Sequence, residues 1–212
     1  MRQFDIITEA DARRLEPGTT VELRAGGHVT PLAADTLKAR RISVVAAGSL
    51  DPSLPADLAP ASAIRRVAIA SDHTGIALRT AIVKHLRSSG LAVDDLGVDE
   101  PVAVDYPDTA ASVARAVARG EADAGIAIDG AGIGSAIAAN KVAGVRAAMC
   151  TDETLARYAR EHNGANVLTL GATLLPDPAA AIRIVDVWLG TPMKEARYIR
   201  RLLKIRRLEE RG

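Results

Sequence analysis

From Val67 onward the chain alternates short apolar runs with helix-length amphipathic segments, and that rhythm restricts the possible folds more than any other feature. It predicts strands over Val67–Ser71, Ala92–Leu96, Gly125–Asp129, Val145–Cys150 and Val167–Leu170. Between and after them it predicts helices over Gly75–Ser88, Thr109–Arg119, Ile133–Lys141, Asp152–His162 and Pro178–Leu189. Strands that must cross over a helix before the next one begins join a parallel sheet, and right-handed crossovers cover both of its faces. The expected fold class is therefore α/β, a Rossmann-like, doubly wound parallel β-sheet in an αβα sandwich, with a small N-terminal appendage. Leu78, Ile82 and Leu86 recur at i, i+4 spacing and supply the stripe that seats the first of these helices on the sheet. From Pro192 the chain continues as a basic helix carrying Arg197, Arg200, Arg201, Arg206 and Arg207.

Ahead of this pattern the prolines within Leu50–Pro60 mark an extended linker. The expected organisation is an appendage over 1–49, a Pro-rich linker over 50–63 and an α/β domain over 64–212. Within the appendage, Thr8–Leu15 reads as a short capped helix, Thr19–Leu23 as a strand, and Pro31–Arg40 as a second helix leading into Ile42–Ala46. At 212 residues the chain is long enough to bury a substantial core. A net charge of +1 argues against a nucleic-acid or membrane-surface role, and the scarcity of aromatic rings argues against platforms for stacking bases. Cys150 is the one cysteine, which excludes an internal disulfide and disfavours a metal cluster. The sequence starts with no charged segment followed by an apolar core, and no apolar run approaches the length that spans a bilayer, so a soluble, cytoplasmic protein is expected.

In such sheets ligands gather at the carboxyl ends of the strands. The segment G-I-A-I-D-G-A-G-I-G-S-A-I-A-A-N-K, Gly125 to Lys141, reads as a buried strand delivering Asp129 into a glycine turn that opens a helix. Glycines at 130, 132 and 134 let successive N–H groups converge, and the helix N-terminus adds partial positive charge, so an oxyanion or phosphate is favoured there. Two further strand ends add ionisable groups: Ser71-Asp72-His73, and Asp105-Tyr106-Pro107 in the loop before the next helix. His162-Asn163, at a helix end, adds a candidate acid. Each has a structural alternative: packing for the glycine turn, a cap for His73, a turn for Tyr106-Pro107, a dipole partner for His162. Their joint occurrence favours a site.

Between Val67 and Arg201 the chain resembles the type B ribose-5-phosphate isomerase family, which includes the galactose-6-phosphate isomerase subunits. The resemblance is carried by S-D-H-T-G at 71–75, D-Y-P at 105–107, D-G-A-G-I-G-S-A-I-A-A-N-K at 129–141, G-V-R at 144–146, H-N-G-A-N-V-L at 162–168 and R-Y-I-R-R at 197–201. It implies aldose–ketose isomerisation of a phosphorylated sugar, ribose 5-phosphate or a close analogue, through a cis-enediolate and without a metal or organic cofactor. It further implies that His162 helps open the ring, that Asn163 holds a substrate oxygen, and that Asp72, His73, Tyr106 and Asn140 contact the sugar. The loop of Gly130, Ala131, Gly132, Ile133, Gly134 and Ser135 would offer amides to the enediolate, and Arg197 and Arg201, one helical turn apart, would grip the phosphate. A homodimer with sites shared between subunits, or a tetramer, is implied as well.

The chain departs from that family at two places. Asp129 stands where many members carry the base cysteine, with Ala131 for a threonine, and Ser135 stands where another branch carries a base glutamate. Asp129 is the one carboxylate left in the loop, and an aspartate of ordinary pKa is ionised and ready as a base at neutral pH. The alternative is that it binds sugar hydroxyls in a catalytically silent phosphosugar-binding or regulatory subunit. Thr173 replaces an arginine that many relatives bring to the phosphate, which suggests a changed substrate or compensation from Arg200 or Lys194. A dinucleotide-binding module is a third option, but Asp94 and Asp95 fall inside a strand rather than at its end. Cys150 reads as a small buried hydrophobe. Residues 8–45 resemble a short module at the start of some enzymes of bacterial microcompartments, so a shell or enzyme partner is one option and an ornament packed on the α/β domain is the other.

Overall fold

The computed structural model describes residues 2–46, 63–100, 102–193 and 196–209. It opens with β1 (Gln3–Ile7), followed by α1 (Glu9–Arg14), β2 (Thr20–Val29), α2 (Pro31–Ala39) and β3 (Ser43–Ala46). Thr8 and Asp11 start α1 with a reciprocal capping box, and Pro31 preorganises the first turn of α2. The three strands form a parallel sheet in the order β1-β2-β3, with Ile7, Ala12, Leu15, Val21, Ala33, Leu37 and Ile42 as its core. The sequence pattern did not suggest β1, because Ile7 alone among its residues is fully buried and no alternation develops. β2 also runs past the expected end at Leu23. Its pairing with β1 shifts between Phe4↔Leu23 and Ile6↔His28, a bulge that absorbs the glycines.

The larger sheet is built from β4 (Arg66–Ser71), β5 (Ala92–Asp95), β6 (Ala124–Asp129), β7 (Ala147–Met149) and β8 (Val167–Gly171). Its helices are α3 (Ile76–Ser88), α4 (Tyr106–Ala118), α5 (Ile133–Ala139), α6 (Glu153–Asn163) and α7 (Pro178–Gly190), and α8 (Ala196–Glu209) follows. All four pairings are parallel and the order is β5-β4-β6-β8-β7, a Rossmann-like doubly wound sheet. Alternation along the strands divides the core between the faces. Val67, Ile69, Ile126 and Ile128 pack with Leu78, Ile82 and Leu86 of α3 and with Ile184 and Trp188 of α7. Ala68 and Ala70 pack with Val113 and Ala114 of α4 and Ala139 of α5. The second face is thin because α4 lies directly on Gly125, where a Cβ would stand 2.5 Å from a Val113 methyl.

Local chemistry sets the element ends. Pro107 sits in the first turn of α4, where its missing N–H costs nothing, so the helix begins at Tyr106, three positions ahead of the expected Thr109. Tyr106-Pro107 therefore opens a helix instead of ending a loop. α5 stops at Ala139, short of the expected Lys141. The Asn140 side chain donates to the carbonyls of Ala136 and Ala147 (2.9 Å each) and accepts from the Ala147 N–H (2.9 Å), which pins the start of a shortened β7. Two compact units result, Met1–Leu58 with Lys194–Arg201, and Ala59–Met193 with Leu202–Gly212. The expected linker falls on residues that, up to 62, lie outside the described part. Among the described residues no helix is long and apolar enough to cross a membrane.

Candidate active site

β4 leads into α3 on one face of the sheet and β6 leads into α5 on the other, so the loops after these neighbouring strands part at a topological switch point, the place where such sheets bind ligands. Asp129 ends β6 and Asp72 follows β4. Ser71 pairs with Ile128, and the Asp72 N–H donates to the Ile128 carbonyl at 3.1 Å, so the two aspartates sit side by side on adjacent strands.

Asp129 is only 5% exposed. Its Oδ1 accepts the N–H groups of Ala131 (2.8 Å) and Gly132, and its Oδ2 accepts that of Ser135 (2.7 Å). Burial pushes the carboxyl pKa up, but the nearby Ser135 side chain and the amides of Gly132, Ser135 and Ala131 outweigh it, leaving the group below the ordinary value of 3.8. The Ser135 hydroxyl acts there through its proximity, since it makes no well-formed hydrogen bond. An aspartate of ordinary pKa was expected; the folded loop makes it a stronger acid. Three of the amides expected to face an oxyanion are thus occupied by Asp129 itself. The N–H groups of Ile133 and Gly134 have no protein acceptor among the described residues.

The end of β8 braces this loop. The Ala172 N–H donates to the Asp129 carbonyl (2.8 Å), the Thr173 N–H and hydroxyl both donate to the Gly130 carbonyl, and the Thr169 hydroxyl donates to the Gly132 carbonyl (2.8 Å). Close approach demands two glycines here. Gly132 has φ +78°, and a Cβ on Gly171 would stand 2.6 Å from the Ala131 carbonyl oxygen. Thr169, Thr173 and Gly171 were not singled out as loop supports, since nothing in their spacing reveals a contact made across strands.

Asp72 is also 5% exposed, and its Oδ1 accepts the N–H (2.9 Å) and hydroxyl (2.5 Å) of Thr74, leaving Oδ2 without a protein donor among the described residues. His73 is exposed beside it. The ring of Tyr106, 42% exposed, lies over Gly134, where a Cβ would come within 2.5 Å of Cε2. Asp72, His73, Tyr106 and the 129–135 loop therefore share one edge.

His162, Asn163 and Asn140 do not join them within one chain. α6 leaves the carboxyl end of β7 and returns to the amino end of β8, and α5 likewise returns to the amino end of β7, so all three residues lie at the opposite edge of the sheet. The direction of helix travel was the signal that could have shown this from sequence. His162 stacks on Tyr158 (centroids 4.7 Å apart, planes 17° apart), and Asn163 donates to the Tyr158 carbonyl at 3.1 Å. The Arg201 guanidinium lies 5.7 Å from the Tyr198 ring centroid, while the Arg197 side chain and Lys194 fall outside the described part. Cys150 is buried, and that burial, reinforced by the Asp152 charge, pushes its thiol up to about 12, which removes it as a base at neutral pH.

A doubly wound sheet with adjacent carboxylates and a braced glycine loop at its switch point defines an α/β protein of the architecture in which small polar molecules are commonly held at the strand ends. Residues 67–205 match the Ribose/Galactose Isomerase family, and the chain belongs to that family. It is 41% identical over 148 residues to ribose-5-phosphate isomerase B of Escherichia coli, covering 70% of this chain and 99% of that protein. Among solved structures it is similar to ribose-5-phosphate isomerase B of Clostridium thermocellum (TM-score 0.67, 44% identity, 69% of this chain and 98% of that one). It is likewise similar to the Mycoplasma genitalium enzyme with bound ribulose-5-phosphate (TM-score 0.66, 42% identity, 69% and 97%).

Proposed function

We propose that the protein is an aldose–ketose isomerase that interconverts ribose 5-phosphate and ribulose 5-phosphate, or a close analogue, with Asp129 as the base. The observation that carries this is the juxtaposition of Asp72, Tyr106 and the Asp129 loop at one sheet edge, in a fold similar to an enzyme crystallised with ribulose-5-phosphate. Asp129 Oδ2, which accepts a single N–H, has a lone pair to spare. It takes the proton from C2 of the open-chain aldose, the electron pair forms the C1–C2 double bond, and negative charge gathers on O1. Returning the proton to C1 while one passes from O2 to O1 gives the ketose. The Ile133 and Gly134 amides face the developing oxyanion.

Asp72, His73 and Tyr106 hold sugar hydroxyls. His162 opens the ring and Asn163 steadies a substrate oxygen, and because both lie at the far edge of their own sheet, a partner copy supplies them in a homodimer. Arg197 and Arg201 take the phosphate, and the reaction needs no cofactor. One observation favours the rival reading of a silent phosphosugar-binding subunit: the Asp129 carboxylate already serves three amides, and the Thr173 hydroxyl turns back onto the loop. Proton NMR in deuterated water with four- to six-carbon aldose and ketose phosphates separates them. Interconversion with deuterium beside the carbonyl supports the isomerase, and binding without exchange across the panel supports the silent subunit.

A further inference from the structure

We infer that Arg160, assisted by Arg146, is a positioning residue that holds the last turn of α6, which carries His162 and Asn163. The inference rests on the proposed roles of those two residues in catalysis. Arg160 is 1% exposed, and among the described residues its charge is met by no carboxylate. Its Nη1 donates to the Ala165 carbonyl at 2.9 Å, and its guanidinium lies 4.8 Å from the centre of the Trp188 ring on α7. Arg146 donates through Nε to the Gly164 carbonyl at 2.8 Å, and its N–H donates to Asn166 Oδ1 at 2.7 Å. The next carbonyl, that of Asn166, accepts from the Gly125 N–H at 2.9 Å.

This exceeds what ending a helix requires. Gly164 is left-handed at φ 55°, its N–H donates to the Arg160 carbonyl (3.0 Å), and the Ala165 N–H donates to the Ala159 carbonyl (2.9 Å), which already completes the cap. The carbonyls of Gly164 and Ala165 would ordinarily be left to water. Here each receives a guanidinium, one of them fully desolvated and facing the like charge of the other, and that burden lowers the Arg160 pKa to about 10. Burying a cation without an anion is unfavourable, and a methionine would fill similar space, so stability alone does not account for Arg160. Arg160 stands in the last turn of α6, where a ring-opening acid must be placed to within about 0.5 Å. Its bond to the Ala165 carbonyl, with the Gly164 and Asn166 carbonyls held as well, ties that turn to the segment entering β8.

The test uses the full chain with ribose 5-phosphate and the variants Arg160→Met, Arg160→Lys and Arg146→Met. The expected result for both methionine variants is a fall in kcat of about ten- to a hundredfold, with KM changed less than about threefold and part of the loss recovered by Arg160→Lys. The His162 ring protons, shifted by the stacked Tyr158, should move or broaden in the same variants. A folded variant with unchanged kcat and unchanged His162 resonances overturns the inference. Should Arg160→Met fail to fold, Arg146→Met decides. A wild-type protein that turns nothing over refutes the isomerase reading instead, and the His162 resonances then judge the positioning role by themselves.

Discussion

Asparagine at position 129 keeps the shape of the aspartate while removing the feature on which the loop depends. Its one oxygen can still accept from Ala131 and Gly132, but the NH2 group then meets the Ser135 N–H, 2.7 Å from the atom it replaces. One buried donor is orphaned, at a cost of about 1–3 kcal/mol, and two charge-assisted bonds become neutral ones, at roughly 1 kcal/mol each. The sum is about 3–5 kcal/mol, or a fall in Tm of roughly 6–20 °C for a unit of this size. The carboxyl pKa is depressed in the folded state, so its stabilisation is complete above the ordinary value of 3.8 and disappears as pH falls through the lower folded value. Thermal unfolding followed by circular dichroism should therefore show a wide gap between wild type and Asp129→Asn at pH 7 that narrows below pH 3.8. Turnover should fall at the same time by about 10²–10⁴-fold, with sugar-phosphate affinity retained. A Tm within about 1 °C of wild type at pH 7 would refute the claim that this carboxylate holds the loop.

Other outcomes follow from the same geometry. If Asp129 is the base, the acid limb of the kcat/KM profile for the wild type lies below pH 3.8, with activity present above it and lost beneath it; a limb above pH 5 would point to another group. Gly134→Ala forces the Tyr106 ring aside, because the new methyl stands 2.5 Å from Cε2, and KM should rise several-fold for a stability loss of about 1 kcal/mol; crystallography with the ring in place would contradict this. Gly171→Ala meets backbone at 2.6 Å and should cost about 2 kcal/mol or more, measured by urea unfolding. Cys150, buried and with its thiol pushed up to about 12, should resist iodoacetamide at pH 7, and activity should survive the treatment.

The sequence by itself determined the parallel α/β architecture of the larger unit, because burial on both faces forces continuous apolar strands and crossover helices show a different period. It also determined that Asp72, Tyr106 and Asp129 belong to one edge, since each falls within three residues of an expected strand's carboxyl end or an expected helix's start. β1 was not legible, as its exposed residues carry no alternation, and the limits of β2 depended on a bulge. Only the tertiary structure decided what Asp129 does with its lone pairs, because amides contributed by residues 131, 132 and 135 converge only when the loop closes onto β8 through Gly171 and Thr173. The separation of His162, Asn163 and Asn140 from that edge was carried by the order of strands and helices, which the sequence already held. Side-chain chemistry marks a residue as functional, whereas the end of the sheet it reaches is set by the direction in which its helix runs.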